Sequence, residues 1–296
     1  MTHLGKIAAI IFVGMVLAFA DLFPQDLAEL RRKAERGEAR AQSNLGIMYA
    51  SGRGAPQDFG EAVKWLRKAA EQGVANAQTA LGLLYFSGQG VSEDSGEAAK
   101  WFREAANQGF DKAQSNLGVL HQNGQGVHRD QVEAVRWYRK AANQGFAQAQ
   151  FNLGNMYANG QGVPQDYGET VKWYRKAANQ GFAIAQFNLG NMYANGQGVP
   201  QDRVEAEKWY RKASGQGFAG AQFNLGNMYA KGQGGLQDDV EAHKWFNLSA
   251  VFGGGELKHA AKIRRGNLSR KMTPAQLEKA LRLARAWVRK FKTRKK

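Results

Sequence analysis

A chain of 296 residues with seven Trp, nine Tyr, sixteen Phe and 36 Gly against five Pro has ample material for a core, which argues against disorder over most of its length. It has no cysteine, so disulfides, thiol nucleophiles, thiolate zinc sites and iron–sulfur clusters are excluded. The net charge of +16 is unevenly held: Glu256 to Lys296 carries fifteen Lys or Arg and two Glu, leaving 26 basic and 23 acidic groups on the other 255 residues, so any electrostatic argument belongs to the C-terminal forty.

In chain order, residues 1–20 read first as an export signal. Lys6 is a small positive n-region, Ile7 to Ala20 is an apolar run of fourteen, and Ala18-Phe19-Ala20 offers a small-x-small site for cleavage after Ala20. The run is shorter than the roughly 20 residues of a spanning helix, and an uncleaved anchor is the rival reading. In both cases residues 21–296 are expected outside the cytoplasm, periplasmic or secreted. Residues 21–36 are expected to hold an N-terminal capping helix: from Asp26 to Arg36 the pattern matches a shortened second helix, with Leu30 aligned to Leu66 and Ala34 to Ala70.

Residues 37–252 then repeat six times. Trp65, Trp101, Trp137, Trp173, Trp209 and Trp245 are each 36 residues apart, and so are Gly46, Gly82, Gly118, Gly154, Gly190 and Gly226, each after a Leu. A third series runs Gly37, Gly73, Gly109, Gly145, Gly181 and Gly217. A period of this size means stacked supersecondary units. Each unit predicts two antiparallel helices. In the first unit one runs from about Glu38 to Ser51, with Ala41, Leu45, Met48 and Tyr49 at helical spacing, and ends at Gly52-Arg53-Gly54. The other opens at Asp58 and stops at Gly73, carrying Val63, Trp65, Leu66 and Ala69-Ala70. Glu61 follows Asp58 by three residues, a capping-box spacing that recurs as Asp94/Glu97, Asp130/Glu133, Asp166/Glu169, Asp202/Glu205 and Asp238/Glu241. Capping predicts that spacing, so these acids read as structural. No unit can bury its apolar face alone, so neighbours must stack, with Trp filling the space between them.

The unit Ala-x-Ala-Gln-x-x-Leu-Gly-x-x-Tyr-x-x-Gly-x-Gly-Val-x-x-Asp-x-x-x-Ala-x-x-Trp-x-x-x-Ala-Ala-x-x-Gly resembles the Sel1-like repeat family, a relative of the tetratricopeptide repeats. Two departures separate it from the tetratricopeptide pattern: Gln42, Gln78, Gln114, Gln150, Gln186 and Gln222 stand where that pattern has Trp, and the Trp has moved to the second helix. His121 takes the slot of Tyr49, Tyr85, Tyr157, Tyr193 and Tyr229. The resemblance implies an all-α solenoid of antiparallel helix pairs wound as a right-handed superhelix. It also implies an adaptor or scaffold, which in exported bacterial members serves envelope regulation or contact with host cells. A cell-envelope hydrolase is the rival from another class, weakened because the paired cysteines of that branch are missing.

Residues 253–296 are expected to be basic C-terminal capping helices and a tail. Gly253-Gly254-Gly255 breaks the period. Thr273-Pro274-Ala275-Gln276 then supplies an N-cap, a Pro at the first helical position and a capping-box Gln. The following helix places Leu277, Ala280, Leu281, Ala284, Trp287, Val288 and Phe291 on one stripe, as a lid over the last repeat would. Its cations Arg282, Arg285, Arg289, Lys290 and Lys292 also suit an anionic membrane surface. Nucleic acid fits least for an exported chain.

No motif predicts catalysis, a cofactor or a metal. Gly88-Gln89-Gly90 and its copies follow helices and precede an Asp N-cap, which makes them turns with Val91, Val127, Val163 and Val199 tucked inward. His121, His128, His243 and His259 lack metal-ligand spacing, and no nucleophile motif is present. The residues that suggest binding lie on the first helices. With Leu153 and Tyr157 inward, residues two positions earlier point about 200° away. Phe151, Asn155 and Asn159, then Phe187, Asn191 and Asn195, then Phe223, Asn227 and Lys231 are thus expected on an outward stripe, with Asn152, Asn188 and Asn224 beside them. Amides repeated at this spacing can bond a protein or extended peptide backbone, and Phe adds apolar area.

Overall fold

The computed structural model describes residues 27–235 and 237–294, which form fifteen α-helices with no strand among them. The expected export signal and residues 21–26 of the expected N-terminal cap lie outside the described residues. Helix α1 (Leu27–Glu35) precedes six pairs: α2 (Ala39–Ser51) and α3 (Phe59–Glu71), α4 (Ala75–Ser87) and α5 (Ser95–Asn107), α6 (Asp111–Asn123) and α7 (Gln131–Asn143), α8 (Ala147–Asn159) and α9 (Tyr167–Asn179), α10 (Ala183–Asn195) and α11 (Arg203–Gly215), α12 (Ala219–Lys231) and α13 (Asp239–Phe252). Helices α14 (Gly255–Ser269) and α15 (Pro274–Thr293) follow. The helix-pair solenoid expected from the 36-residue period is the observed fold. Two compact units divide between Ala149 and Gln150, and each is built from such pairs.

Close backbone approach inside a pair explains the Leu-Gly series. A methyl group added at Gly82 would lie 2.7 Å from the Phe102 ring, and one at Gly190 would lie 2.7 Å from the Tyr210 ring. The neighbouring Leu81 and Leu189 are fully buried. The second-helix aromatic therefore lies flat on the glycine, and the Ala-Ala steps let the helix behind it come close.

Tryptophan joins one unit to the one before. Trp137 of α7 packs with Leu83, Phe102 and Ala105 of the preceding pair as well as with Leu117 of its own. Trp65 does the same against Leu30 and Ala34 of α1, which therefore occupies the place of a preceding second helix. Five of the six repeat tryptophans are buried and Trp101 is half-buried.

The acids cap as their spacing requires, with one difference. Each aspartate accepts from the backbone N–H three residues on, at 3.0 Å for Asp58 and Glu61 and 2.9 Å for Asp202 and Glu205. The glutamates do not return the bond as a capping box would. Glu61 accepts from Lys64 Nζ (2.9 Å) and from Trp65 Nε1 (2.9 Å), and Glu169 and Glu241 do likewise. In these three repeats the tryptophan one turn on supplies a buried N–H that the glutamate accepts, whereas the Trp101 and Trp209 N–H groups are buried without a partner. The reciprocal capping box does form at α15, between Thr273 and Gln276.

The glutamines in the tryptophan slot knit repeats together. Gln78 Nε2 donates to the Ala70 carbonyl of the preceding second helix (3.1 Å), and Gln78 Oε1 accepts from Gln108 at the end of its own pair (2.8 Å). The same two bonds recur at Gln42, Gln114 and Gln186. A polar side chain this deep is tolerated because both ends of its amide are satisfied.

At the C-terminal end α14 and α15 both pack on α13. Ala280 and Ala284 are buried, and the Phe252, Trp287 and Phe291 rings meet at centroid distances of 5.0–5.4 Å. The apolar stripe of α15 thus faces repeat six, with Leu277, Leu281, Trp287, Val288 and Phe291 half-buried around the two alanines. Among the described residues no helix is long and apolar enough to cross a membrane.

Candidate interaction surface

No group of three His, Asp or Glu among the described residues is placed to hold a metal ion. The one His–Ser contact joins His243 of α13 to Ser269 of α14, with Nε2 and Oγ 3.0 Å apart. Ser269 Oγ also lies 3.0 Å from the Arg265 carbonyl one turn earlier in α14, to which it donates, and in that arrangement the imidazole Nε2–H is the donor to the hydroxyl. His243 is buried with Nδ1 unpartnered, and burial first, then the nearby Arg265 charge, holds its pKa below the ordinary value. This is a packing histidine.

The first-helix stripe is built differently from a row of free side chains. Phe151, expected to face outward, is buried at 8% exposure, stacked on Tyr174 at 5.5 Å and tilted against Phe182 at 5.5 Å. Phe187 is half-buried between Tyr210 and Phe218, and Phe223 lies edge-on to Phe246. The angle from Leu153 ignored the neighbours: a first helix in a stack is flanked on two sides as well as behind, so only a narrow strip stays open. Tyr157, expected to point inward, and its counterparts Tyr193 and Tyr229 are only half-buried.

The asparagines keep one edge in solvent and use the other internally. Tyr210 Oη donates to Asn191 Oδ1 (2.7 Å), which also accepts from Asn224 Nδ2 of the next first helix (3.0 Å). Tyr174 Oη likewise donates to Asn155, and Asn188 of the next repeat bonds the same hydroxyl. Burial raises the Tyr174 pKa and pushes that of Tyr210 up to about 12, so both phenols stay protonated donors at any ordinary pH. Asn152, Asn155, Asn188, Asn191, Asn224 and Asn227 are all half-buried. The result in repeats four and five is a rigid rung of Phe, Tyr and two Asn, each with a polar edge exposed. The tyrosine in this clamp carried no signal in its own spacing; only its pairing with Asn across a repeat could have revealed it.

A second set of tyrosines lies on the first helices themselves. Arg175 donates to Tyr193 Oη (2.6 Å) and Arg211 to Tyr229 Oη, each guanidinium lying about 5.7–5.9 Å from the ring centroid. Tyr229 also donates to Glu207 (2.5 Å), and burial followed by that carboxylate pushes its pKa up to about 12. These bonds tie the first helix of one repeat to the second helix of the repeat before.

With this geometry in place, the six-fold unit can be matched to known proteins. The Sel1 repeat model matches residues 39–74, 75–110, 111–146, 147–182, 183–218 and 219–250, almost the whole repeat region. The chain is a Sel1 repeat protein. It is similar to a Sel1 repeat protein from Oxalobacter formigenes at 35% identity and a TM-score of 0.66, over 75% of this chain and 87% of that one. It is also similar to a protective antigen of uropathogenic Escherichia coli with the same repeat fold, at 27% identity and a TM-score of 0.48, over 97% of this chain and 84% of that one. No curated protein matches it. Sel1 repeat proteins are generally scaffolds that bind other proteins.

Proposed function

We propose that this Sel1 repeat protein is a non-catalytic, exported scaffold that seats an extended segment of a partner polypeptide along the first helices of repeats four to six. The carrying observation is the rung itself. Phe, Tyr and two Asn are locked together before any partner arrives, so their exposed amide and ring edges can bind without losing further side-chain entropy. Spacing by repeat suits a ligand that runs across helices rather than along one. Export rests on Lys6, the apolar run to Ala20 and the small residues before Asp21; service in envelope signalling or in contact with host cells is the corresponding role.

The test is capture from an envelope extract with the chain as bait. Asn159→Arg with Asn195→Arg places charge on the exposed end of the stripe, where neither residue has a packing role. A partner retained by the parent chain should be lost by this double variant at unchanged melting temperature. A partner held equally by both would overturn the first-helix surface, and an unprocessed N-terminus on chain recovered from the cytoplasm would overturn export.

A further inference from the structure

The rungs follow a pairing rule, and repeat six breaks it. One residue of each first helix sits opposite the second-helix residue that covers the Leu-Gly glycine. In the first two repeats both are apolar: Ile47 with Leu66, and Leu83 with Phe102. In repeat three Val119 offers no acceptor, and Tyr138 turns to Gln122 Oε1 (2.8 Å). In repeats four and five Asn155 and Asn191 answer Tyr174 and Tyr210. In repeat six Asn227 stands opposite Phe246, a ring with nothing to donate. The amide that would reach it from a following repeat is absent too, since the residue 36 beyond Asn224 is Ala260. Among the described residues, Asn227 is the one polar member of the series without a partner.

What surrounds Asn227 differs from earlier repeats in the same direction. Lys231 stands where Asn159 and Asn195 stood, and α14 packs beside α12 here, bringing Arg264 and Asn267, with Lys271 in the turn that follows. These groups line a recess of about 300 Å³, with Leu268 and the almost fully buried Phe246 also on its wall. None of the ion pairs among the described residues uses Lys231, Arg264 or Lys271. One carboxylate, Asp239, also lines the recess and accepts from Gln237 (3.1 Å), so the local balance stays positive.

We infer that this recess is an anchoring subsite for an acidic stretch of the partner polypeptide, with partner carboxylates taken by Lys231, Arg264 and Lys271 and a backbone or side-chain carbonyl by the Asn227 amide. Carboxylate bonds to unpaired cations are the stronger class of hydrogen bond, and the half-buried Leu268 on the same wall suits an intervening apolar side chain. A concave recess cannot be reached by the plane of a lipid bilayer, which sets a polypeptide ahead of a membrane. The inference deepens the scaffold reading and rests on it, because the recess closes one end of the same first-helix face.

The probe is a fluorescein-labelled peptide amide of alternating Glu-Glu and Leu, read by fluorescence anisotropy against the full chain at low ionic strength, with a Gln-for-Glu counterpart. The acidic peptide should bind about tenfold or more tightly than the counterpart, in line with loss of charge-assisted bonds. Asn227→Leu restores the apolar pairing seen at Leu83 and should weaken the peptide about fivefold with the melting temperature held. Lys231→Glu should weaken it further, while Arg289→Glu on α15, outside the recess, should not. Equal binding of the two peptides, an unaffected Asn227→Leu chain, or an Arg289→Glu loss as large as that of Lys231→Glu would each overturn the subsite. Vesicles of phosphatidylcholine with phosphatidylglycerol that displace the peptide from the parent chain would overturn it in favour of lipid. If the peptide fails while capture sensitive to Asn159 and Asn195 persists, the subsite alone falls; if that capture is lost as well, the first-helix scaffold falls with it.

Discussion

At single residues, what matters in this chain is whether a neighbour from another helix occupies the space. Gly190 and Gly215 are both helical glycines, yet a Cβ on Gly190 would press into the Tyr210 ring while one on Gly215 meets nothing within 4 Å. Gly190→Ala should therefore lose about 1–3 kcal/mol to overpacking, less a helix-propensity gain of about 1 kcal/mol, whereas Gly215→Ala should gain up to about 1 kcal/mol. Urea unfolding midpoints on the two variants check the opposite signs. The buried glutamines offer a second contrast. Gln78→Leu removes two buried bonds and leaves the Gln108 amide without its acceptor, a loss of about 1–3 kcal/mol. Gln222 is just as buried, but neither end of its amide has a protein partner; the residue 30 further on, which donates to Oε1 in earlier repeats, is Phe252 here. Gln222→Leu should cost little or stabilise, and equal losses at the two sites would show that the ladder is not what holds Gln78.

Helices taken as elements were legible in the sequence wherever a signal was local. The Asp N-caps, the turn glycines and the Trp, Leu and Ala-Ala positions all lie where the period puts them, because capping and periodic burial depend on neighbours a turn away. Glu61, Glu169 and Glu241 were misplaced for the converse reason: their partner is a tryptophan N–H whose need for an acceptor arises only once the ring is buried. The same holds for Phe151, covered by residues 23 and 31 positions away. At this scale α13 and α14 carry a pH dependence. His243 faces Ser269 and Arg265 of α14, with Glu241 and Lys244 beside it on α13, and its folded pKa lies below the unfolded value of 6.5. The neutral form is favoured in the folded state, so this contribution is present above about pH 6.5 and is lost as pH falls below it. The melting temperature of the parent chain should drop between about pH 6.5 and pH 5 more than that of His243→Gln, and parallel curves would remove His243 as the cause.

For the molecule as a whole, stability is shared between neighbours, so its ends are decisive. Helix α1 supplies Leu30 and Ala34 to Trp65, and α15 supplies Trp287 and Phe291 to Phe252. Truncation after Phe252 strips that cover from repeat six. The shortened chain should lose solubility and melt at lower temperature, since terminal repeats need a polar outer face. Size-exclusion and thermal melts test this, and a soluble monomer of unchanged stability would mean that α14 and α15 are not a cap.

By its spacing alone the chain determined that it would be all-α, that it would be built from six Sel1 pairs, and that aspartates and glycines would begin and end the helices. Those are properties of short segments repeated, and repetition makes a weak local signal unmistakable. Which faces stay open was decided only by the tertiary structure. Burial of Phe151, the Tyr–Asn clamps, the half-buried stripe of α15 and the unanswered Asn227 all arise where residues from different repeats compete for one space, and that competition has no expression in spacing along a single helix.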